Sequence, residues 1–205
     1  PKSSPDYGQA RDFARHIVKH GWMVITGASS GIMNAGNEGA GRSNSFGVNI
    51  RLPFEQEANP VIANDPKLVN FKYFFTRKLI FIRESDATLL CPGGFGTHDE
   101  GFETITLIQT GKSNPRPVVC LDPPGSDYWS EWRGWVERLA SRKLIDPDDV
   151  NLIHFTHDPQ EAARVIADFY RNYHSSRYIG DLFVMRIKKP LDADRLARVN
   201  ADFKG

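Results

Sequence analysis

The chain has 205 residues, 40% of them hydrophobic, and 26 Lys and Arg face 25 Asp and Glu for a formal charge of +1. That length is one domain, or one domain with a tail, with enough apolar residues to bury a sizeable core. The balanced charge argues against a dedicated nucleic-acid binder and against an acidic disordered chain.

The two cysteines, Cys91 and Cys120, both lie in apolar runs, which argues against a disulfide scaffold and a zinc ribbon. No apolar stretch approaches the roughly 20 residues that cross a bilayer. No leader is visible. The expectation is a soluble cytoplasmic protein whose partners include neither a membrane nor a nucleic-acid polymer.

Tyr7 to His20 predicts an amphipathic helix, because Ala10, Phe13, Ala14 and Ile17 recur three and four apart and Gly21 can end it. Trp22 to Thr26 is a short apolar strand. It runs into Gly27-Ala28-Ser29-Ser30-Gly31 and a helix from Ile32 to about Ala40. Phe46 to Ile50 is a second strand, and Pro53 to Pro66 reads as loop. Phe71 to Phe75 reads as a short extended piece and Thr76 to Glu84 as a helix. Ala87 to Cys91 is an apolar strand, followed by Pro92-Gly93-Gly94-Phe95-Gly96 and a helix from about Thr97 to Gln109. Pro117 to Leu121 and Leu152 to Phe155 are further strands. Tyr128 to Ala140 and Pro159 to Tyr173 are helices. From about residue 172 to 205 the pattern changes. The apolar run Leu182 to Met185 and a short helical piece near Leu191 to Val199 predict an extension that packs on a partner subunit.

Short apolar strands alternating with longer helices predict an α/β fold, a Rossmann-like doubly wound parallel sheet with helices on both faces, over residues 1–171. Such sheets bind ligands at the carboxyl ends of their strands. Both glycine-rich turns fall there.

Gly27 to Gly31 matches neither the dinucleotide fingerprint nor a Walker loop. It still has the physics of an anion site: glycines let backbone approach a phosphate, and the following helix offers free N–H groups. The plain alternative is an ordinary strand-to-helix turn. Pro92 to Thr97 is the stronger signal. Its three glycines sit between a strand and a helix, an entropic cost accepted where amides must face a ligand. Thr97-x-x-Glu100 also fits a capping box, in which case Glu100 is purely structural. Asp99, Glu100 and Glu103 crowd the first turn and a half, where the dipole should keep them ionised. Arg77 and Lys78 open the preceding helix. Cations there oppose the dipole, and the surrounding aromatics suit a stacked or phosphate-facing guanidinium. His98 reads as an exposed first-turn residue. The other histidines show no metal-ligand spacing with acids. The Tyr and Trp residues of 128–135 read as core or interface.

Taken together, these residues resemble the LOG ("Lonely Guy") family of nucleoside monophosphate phosphoribohydrolases, long described as lysine decarboxylases. The signature P-G-G-x-G-T-x-x-E reads here Pro92 to Glu100, with the Arg77-Lys78 pair ahead of it. Gly27-Ala-Ser-Ser-Gly-Ile-Met33, Asn49 to Gln56 with Asn59, Glu103-Thr-Ile-Thr106 and Gln109-Thr-Gly111 also fit, so the resemblance runs from Tyr7 to about Tyr170. Family domains begin with a strand and a Gly-Ser turn ahead of the first helix, a segment that would precede Pro1.

The resemblance implies that Glu100 and Arg77 are catalytic. A carboxylate near the anomeric carbon stabilises the oxocarbenium-like charge that builds as the base departs, and it orients the attacking water. The 5′-phosphate would rest on Gly93, Gly94, Phe95 and Gly96 and on the Thr97 hydroxyl. Gly27, Ser29, Ser30, Gly31, Met33, Glu55, Asn59, Lys78, Glu103 and Thr106 are implied substrate contacts. No step requires a metal or an organic cofactor. The products would be a free base and ribose 5-phosphate, with a homodimer or higher oligomer completing the site. The alternative from another class is a non-catalytic nucleotide-binding protein, a carrier or sensor. Phosphate binding alone does not explain Glu100, since a carboxylate repels a phosphate. A decarboxylase would need a cofactor-linked lysine, and nothing in the sequence singles one out.

Overall fold

The computed structural model describes residues 1–50 and 57–203, so expectations on 51–56, Glu55 among them, lie outside the described residues. Strands β1 (Val24–Thr26), β2 (Ser45–Ile50) and β3 (Leu68–Phe71) form one parallel sheet, with Val24 opposite Ser45 and Gly47 opposite Leu68. Strands β4 (Thr88–Leu90), β5 (Val118–Leu121) and β6 (Ile153–Thr156) form a second, with Thr88 opposite Val118 and Val118 opposite Ile153.

Parallel neighbours need long crossovers, and helices supply most of them. α2 (Ile32–Ala40) joins β1 to β2, and α3 (Phe74–Arg83) joins β3 to β4. α4 (Phe95–Gln109) joins β4 to β5, and α5 (Tyr128–Ser141) lies between β5 and β6. α1 (Pro5–Ile17) precedes β1 and α6 (Pro159–Asn172) follows β6.

β5 shows why this is a layered α/β fold. All four of its residues are buried. Val119 and Leu121 pack with Phe13, Ile17, Ala162, Ala163 and Ile166 of α1 and α6. Val118 and Cys120 face the other way, against Leu90, Trp129 and Ile153, with Ile105 and Ile108 of α4 alongside. Successive side chains alternate faces, so helices must cover both. Among the described residues no ladder joins β1 to β4. The two sheets share a core instead, since Val24 of β1 and Leu89 of β4 both pack against the cluster under α1.

Most expected elements stand within a few residues of their predicted bounds. Three helices begin earlier, the first of them α1 at Pro5. α3 starts at Phe74 and α4 at Phe95. Phe74 and Phe75 suggested extended chain because aromatics favour strands. They are instead exposed on the outer side of the first turn of α3. The tail forms an antiparallel hairpin, β7 (Tyr173–Ile179) with β8 (Leu182–Ile187), and then α7 (Ala193–Asp202). Its turn carries Gly180 at φ 58°. Both cysteines are free and buried, and burial pushes the Cys91 thiol up to about 12. No described helix is long and apolar enough to cross a membrane.

Candidate functional site

The turns after β1 and β4 both lie at carboxyl ends of strands, and Arg77 ties them together. A Cβ placed on Gly27 would meet Met33 Sδ at 2.8 Å and Arg77 Nη1 at 3.7 Å. Arg77 therefore reaches from α3 to the first turn. Its Nη2 lies 3.6 Å from Glu100 Oε1 on α4. That separation is an ion pair but too long for a good hydrogen bond.

The remaining atoms of the pair are more telling. Arg77 Nε and Glu100 Oε2 are buried and have no hydrogen-bond partner among the described residues. Buried polar groups are nearly always satisfied, so a donor and an acceptor left open side by side call for an explanation. Burial, the largest influence, raises the Glu100 carboxyl above its ordinary value, while Lys78 and Arg77 pull it down without cancelling the effect. Desolvation favours the neutral carboxyl and the two cations favour the ionised one, so Glu100 gives up its proton at a higher pH than an ordinary glutamate. The Arg77 guanidinium sits 5.4 Å over the Phe74 ring, the stacked arrangement the aromatic surroundings suggested.

The capping box is not formed. Gly94 is the N-cap of α4 and no side chain caps it, because the helix starts at Phe95 and leaves Thr97 inside its first turn. Glu100 is thereby free of the structural role. Thr97 packs onto the loop instead, where a Cβ on Gly93 would lie 2.2 Å from Thr97 Oγ1. Gly93 is required by that close approach. Gly93 to Gly96 are exposed, and Phe95 stands almost wholly in solvent.

Lys78 is placed differently from its neighbour. Its Nζ lies 2.7 Å from Asp99 Oδ2 and 2.6 Å from Glu103 Oε2. Burial pulls the ammonium down, but the hydrogen bonds to Asp99 and Glu103 outweigh it and hold the group above its ordinary value. Lys78 and Glu103, both implied substrate contacts, are thus engaged with each other. Their bond fixes α3 against α4 and so sets the Arg77–Glu100 spacing. Arg77 and Lys78 follow the first residues of α3 rather than opening it.

The first turn is braced from behind. Ala28 is fully buried at φ 62°, in the left-handed region that non-glycine residues rarely enter. Thr26 Oγ1 accepts from the Ala28 amide, and the Asn59 amide donates to the Ala28 carbonyl at 2.8 Å. Asn59 Nδ2 donates to Asn37 Oδ1 and to the Ser29 carbonyl. Asn59 therefore stands as a strut under the turn, with its polar atoms occupied. Ser30 and Gly31 open onto a cavity of about 510 Å³ that Tyr7 and Asn34 also line. There Tyr7 Oη donates to Glu38 Oε2 and accepts from Asn34 Nδ2, both at 2.6 Å, while Asn34 Oδ1 has no partner. Thr106 is exposed on α4, six residues along from Glu100, and the structure does not bring it to the pair.

Sequence reasoning took His98 for an exposed first-turn residue and Tyr128 for core or interface; His98 is instead half-buried, its Nε2 2.8 Å from the Tyr128 hydroxyl. Tyr128 opens α5 at the carboxyl end of the sheet, and that position was the available signal.

Fold and site define a doubly wound α/β protein with an incompletely satisfied Arg–Glu pair between two strand-to-helix turns. The chain belongs to the LOG family, whose model, described as "Possible lysine decarboxylase", matches residues 26–166. It is 24% identical over 177 residues to the cytokinin riboside 5′-monophosphate phosphoribohydrolase of Mycobacterium tuberculosis, covering 80% of this chain and 89% of that protein. A phosphoribohydrolase of the same name from Arabidopsis thaliana is 25% identical over 149 residues, with 72% and 68% covered. A probable one from Oryza sativa subsp. japonica is also 25% identical over 149 residues, and the chain spans 59% of its length.

Among solved structures, the molybdenum cofactor binding protein of Rippkaea orientalis superposes with a TM-score of 0.56 at 20% identity, over 82% of this chain and 89% of that one. The molybdenum cofactor carrier protein of Chlamydomonas reinhardtii gives 0.52 at 20%, over 81% and 88%. At that identity the likeness is one of fold.

Proposed function

We propose that this protein hydrolyses the N-glycosidic bond of a nucleoside 5′-monophosphate, releasing the free base and ribose 5-phosphate. The observation that carries the reading is the open pair: Arg77 Nε and Glu100 Oε2, buried, unpartnered and adjacent. A bound nucleotide would satisfy both. Its phosphate would rest on the exposed loop Gly93–Gly96 and the Thr97 hydroxyl, anchoring the substrate by interactions remote from the bond that breaks. Arg77 would hold the nucleotide against the first turn, where it already reaches Gly27. Glu100, ionised, would face the anomeric carbon, stabilise its developing positive charge and orient a water for attack. The water adds its oxygen to that carbon, and the departing base takes up a proton.

The names of the relatives support a phosphoribohydrolase, at low identity. The family description as a decarboxylase fits the site less well. A lysine that forms an imine must be neutral, whereas Lys78 is held as an ammonium by two carboxylates. A carrier without turnover shares the fold and would leave Glu100 without a task.

The test is incubation with a panel of nucleoside 5′-monophosphates, scoring released base by chromatography. Release from at least one member is expected. A panel that is bound but not cleaved establishes the carrier reading instead.

A further inference from the structure

We propose that Tyr128 and His98 form a positioning relay that aims the second glycine turn at its ligand. This deepens the proposed function, because it rests on that turn receiving a phosphate.

The Tyr128 hydroxyl lies 2.5 Å from the Gly93 carbonyl oxygen and 2.8 Å from His98 Nε2. A hydroxyl has one proton. Spent on the Gly93 carbonyl, it leaves a lone pair facing His98, so Nε2 must carry the hydrogen of that second bond. In the opposite tautomer His98 would take the Tyr128 proton and release the carbonyl. The two rings lie nearly parallel, 19° apart, and Phe102 also stacks with the imidazole, which helps hold it in place.

The anchor is rigid. Next to Tyr128, Trp129 is 2% exposed, its indole N–H bonds the Leu121 carbonyl and its backbone amide bonds Asp122. Tyr128 is therefore fixed to the end of β5, the most buried strand.

The consequence follows from peptide geometry. The Gly93 carbonyl and the Gly94 amide belong to one trans peptide, so they point in opposite directions. Holding the carbonyl toward α5 turns the Gly94 N–H away from α5. On α4, His98 and Phe102 face α5, while Asp99 and Glu103 face Lys78 of α3. The Gly94 amide is thus directed away from the α5 side, on which His98 lies. Among the described residues no acceptor within the chain takes the Gly94 amide. Within the loop only Phe95 carries a side chain and it stands in solvent, so the Gly93 carbonyl is held from outside the loop, by Tyr128. Neither residue touches the reacting atoms; both act through the Gly93–Gly94 peptide.

The experiment compares Tyr128→Phe, His98→Leu and His98→Gln with the wild-type protein. Calorimetry measures ribose 5-phosphate binding, and steady-state assays separate KM from kcat. Tyr128→Phe should weaken ribose 5-phosphate by about tenfold, the worth of one hydrogen bond, and raise KM more than it lowers kcat. His98→Leu should do the same to a lesser degree. His98→Gln, which keeps an N–H donor, should return binding to within about threefold of wild type. Unchanged binding in Tyr128→Phe overturns the relay, and so does a His98→Gln variant no better than His98→Leu. Wild-type protein that binds ribose 5-phosphate without cleaving any nucleotide sinks the hydrolase reading alone and leaves the binding comparison intact. Wild-type protein that does not bind it overturns the relay.

Discussion

The two glycine turns do similar geometric work by opposite means. The first, Gly27 to Gly31, is held from inside. Its strained residue Ala28 is buried, and Thr26 and Asn59 bond its backbone from below, with Asn37 Oδ1 accepting from both of them. The second, Gly93 to Gly96, is exposed and is held from outside, by Thr97 packed on Gly93 and Tyr128 on the Gly93 carbonyl. The difference teaches where adaptability resides. A turn braced by a buried network changes shape only if the core changes. A turn braced by two side chains, with its Gly94 carbonyl accepting from the Thr97 amide, can adjust to a ligand more readily.

The largest expected effect lies between the turns. Glu100→Gln should lower kcat by about a thousandfold or more while nucleotide binding persists. Because no capping box depends on Glu100, its melting temperature should stay within about 3 °C of wild type. The sign of the linkage agrees. The folded carboxyl is raised by burial, so ionising it costs stability above the unfolded value, and glutamine removes that cost. The same raised value places the acid limb of the wild-type pH–rate profile above the ordinary Glu range of about 4.3. Activity rises with pH through it, and kcat/KM against pH checks it.

Gly93→Ala comes next. Its methyl would meet Thr97 Oγ1 at 2.2 Å, so either the loop or the hydroxyl must move. KM should rise by roughly 10- to 100-fold, the worth of one or two phosphate contacts. Circular dichroism should show the fold intact, because the loop is exposed. A collapse of the fold would mean that the second turn is as deeply braced as the first.

Asn59→Ala probes the other side of the comparison. It leaves Ser29, Asn37 and Val61 short of partners, and it should cost about 1–3 kcal/mol of stability, read by denaturant melts. Activity per folded molecule should fall less than in Gly93→Ala. The smallest effect is expected for Ala28→Gly. It relieves a left-handed residue, worth about 1–2 kcal/mol, and it loses a buried methyl worth about 0.8 kcal/mol. The net change should stay within about 1 kcal/mol of wild type, and a loss of 2 or more would show that the strain is not borne by Ala28.

How much of this was legible in the sequence differs by region. Most of the parallel strands and their helices were legible from apolar runs and periodicity, since burial on both faces leaves a continuous apolar pattern; β3 was not, because Val69 and Asn70 in its middle are exposed and the extended piece was expected at Phe71 to Phe75. The hairpin was not, because His174 to Arg177 interrupts the apolar pattern of β7. Gly180-Asp181 between two runs was the signal that could have revealed it. The site was legible in kind: Arg77, Glu100 and the two turns meet. Its arrangement was not. The start of α4 at Phe95 removed the capping box, and that depended on where a glycine chose to be an N-cap. Asn59 and Lys78 are polar residues near a site. Whether they point at a ligand or at protein partners is a question of packing that spacing does not answer.

The clamp of Lys78 between Asp99 and Glu103 has a kinetic consequence. Lys78, the flexible cation beside Arg77, is already neutralised, and the chain as a whole carries only +1. No long-range field draws a phosphate inward. On the proposed reading, capture must await a close encounter, in which short-range amide dipoles and the Arg77 guanidinium take hold. Association is then slow by the standards of steered ligands and nearly indifferent to ionic strength, since there is little field for salt to screen.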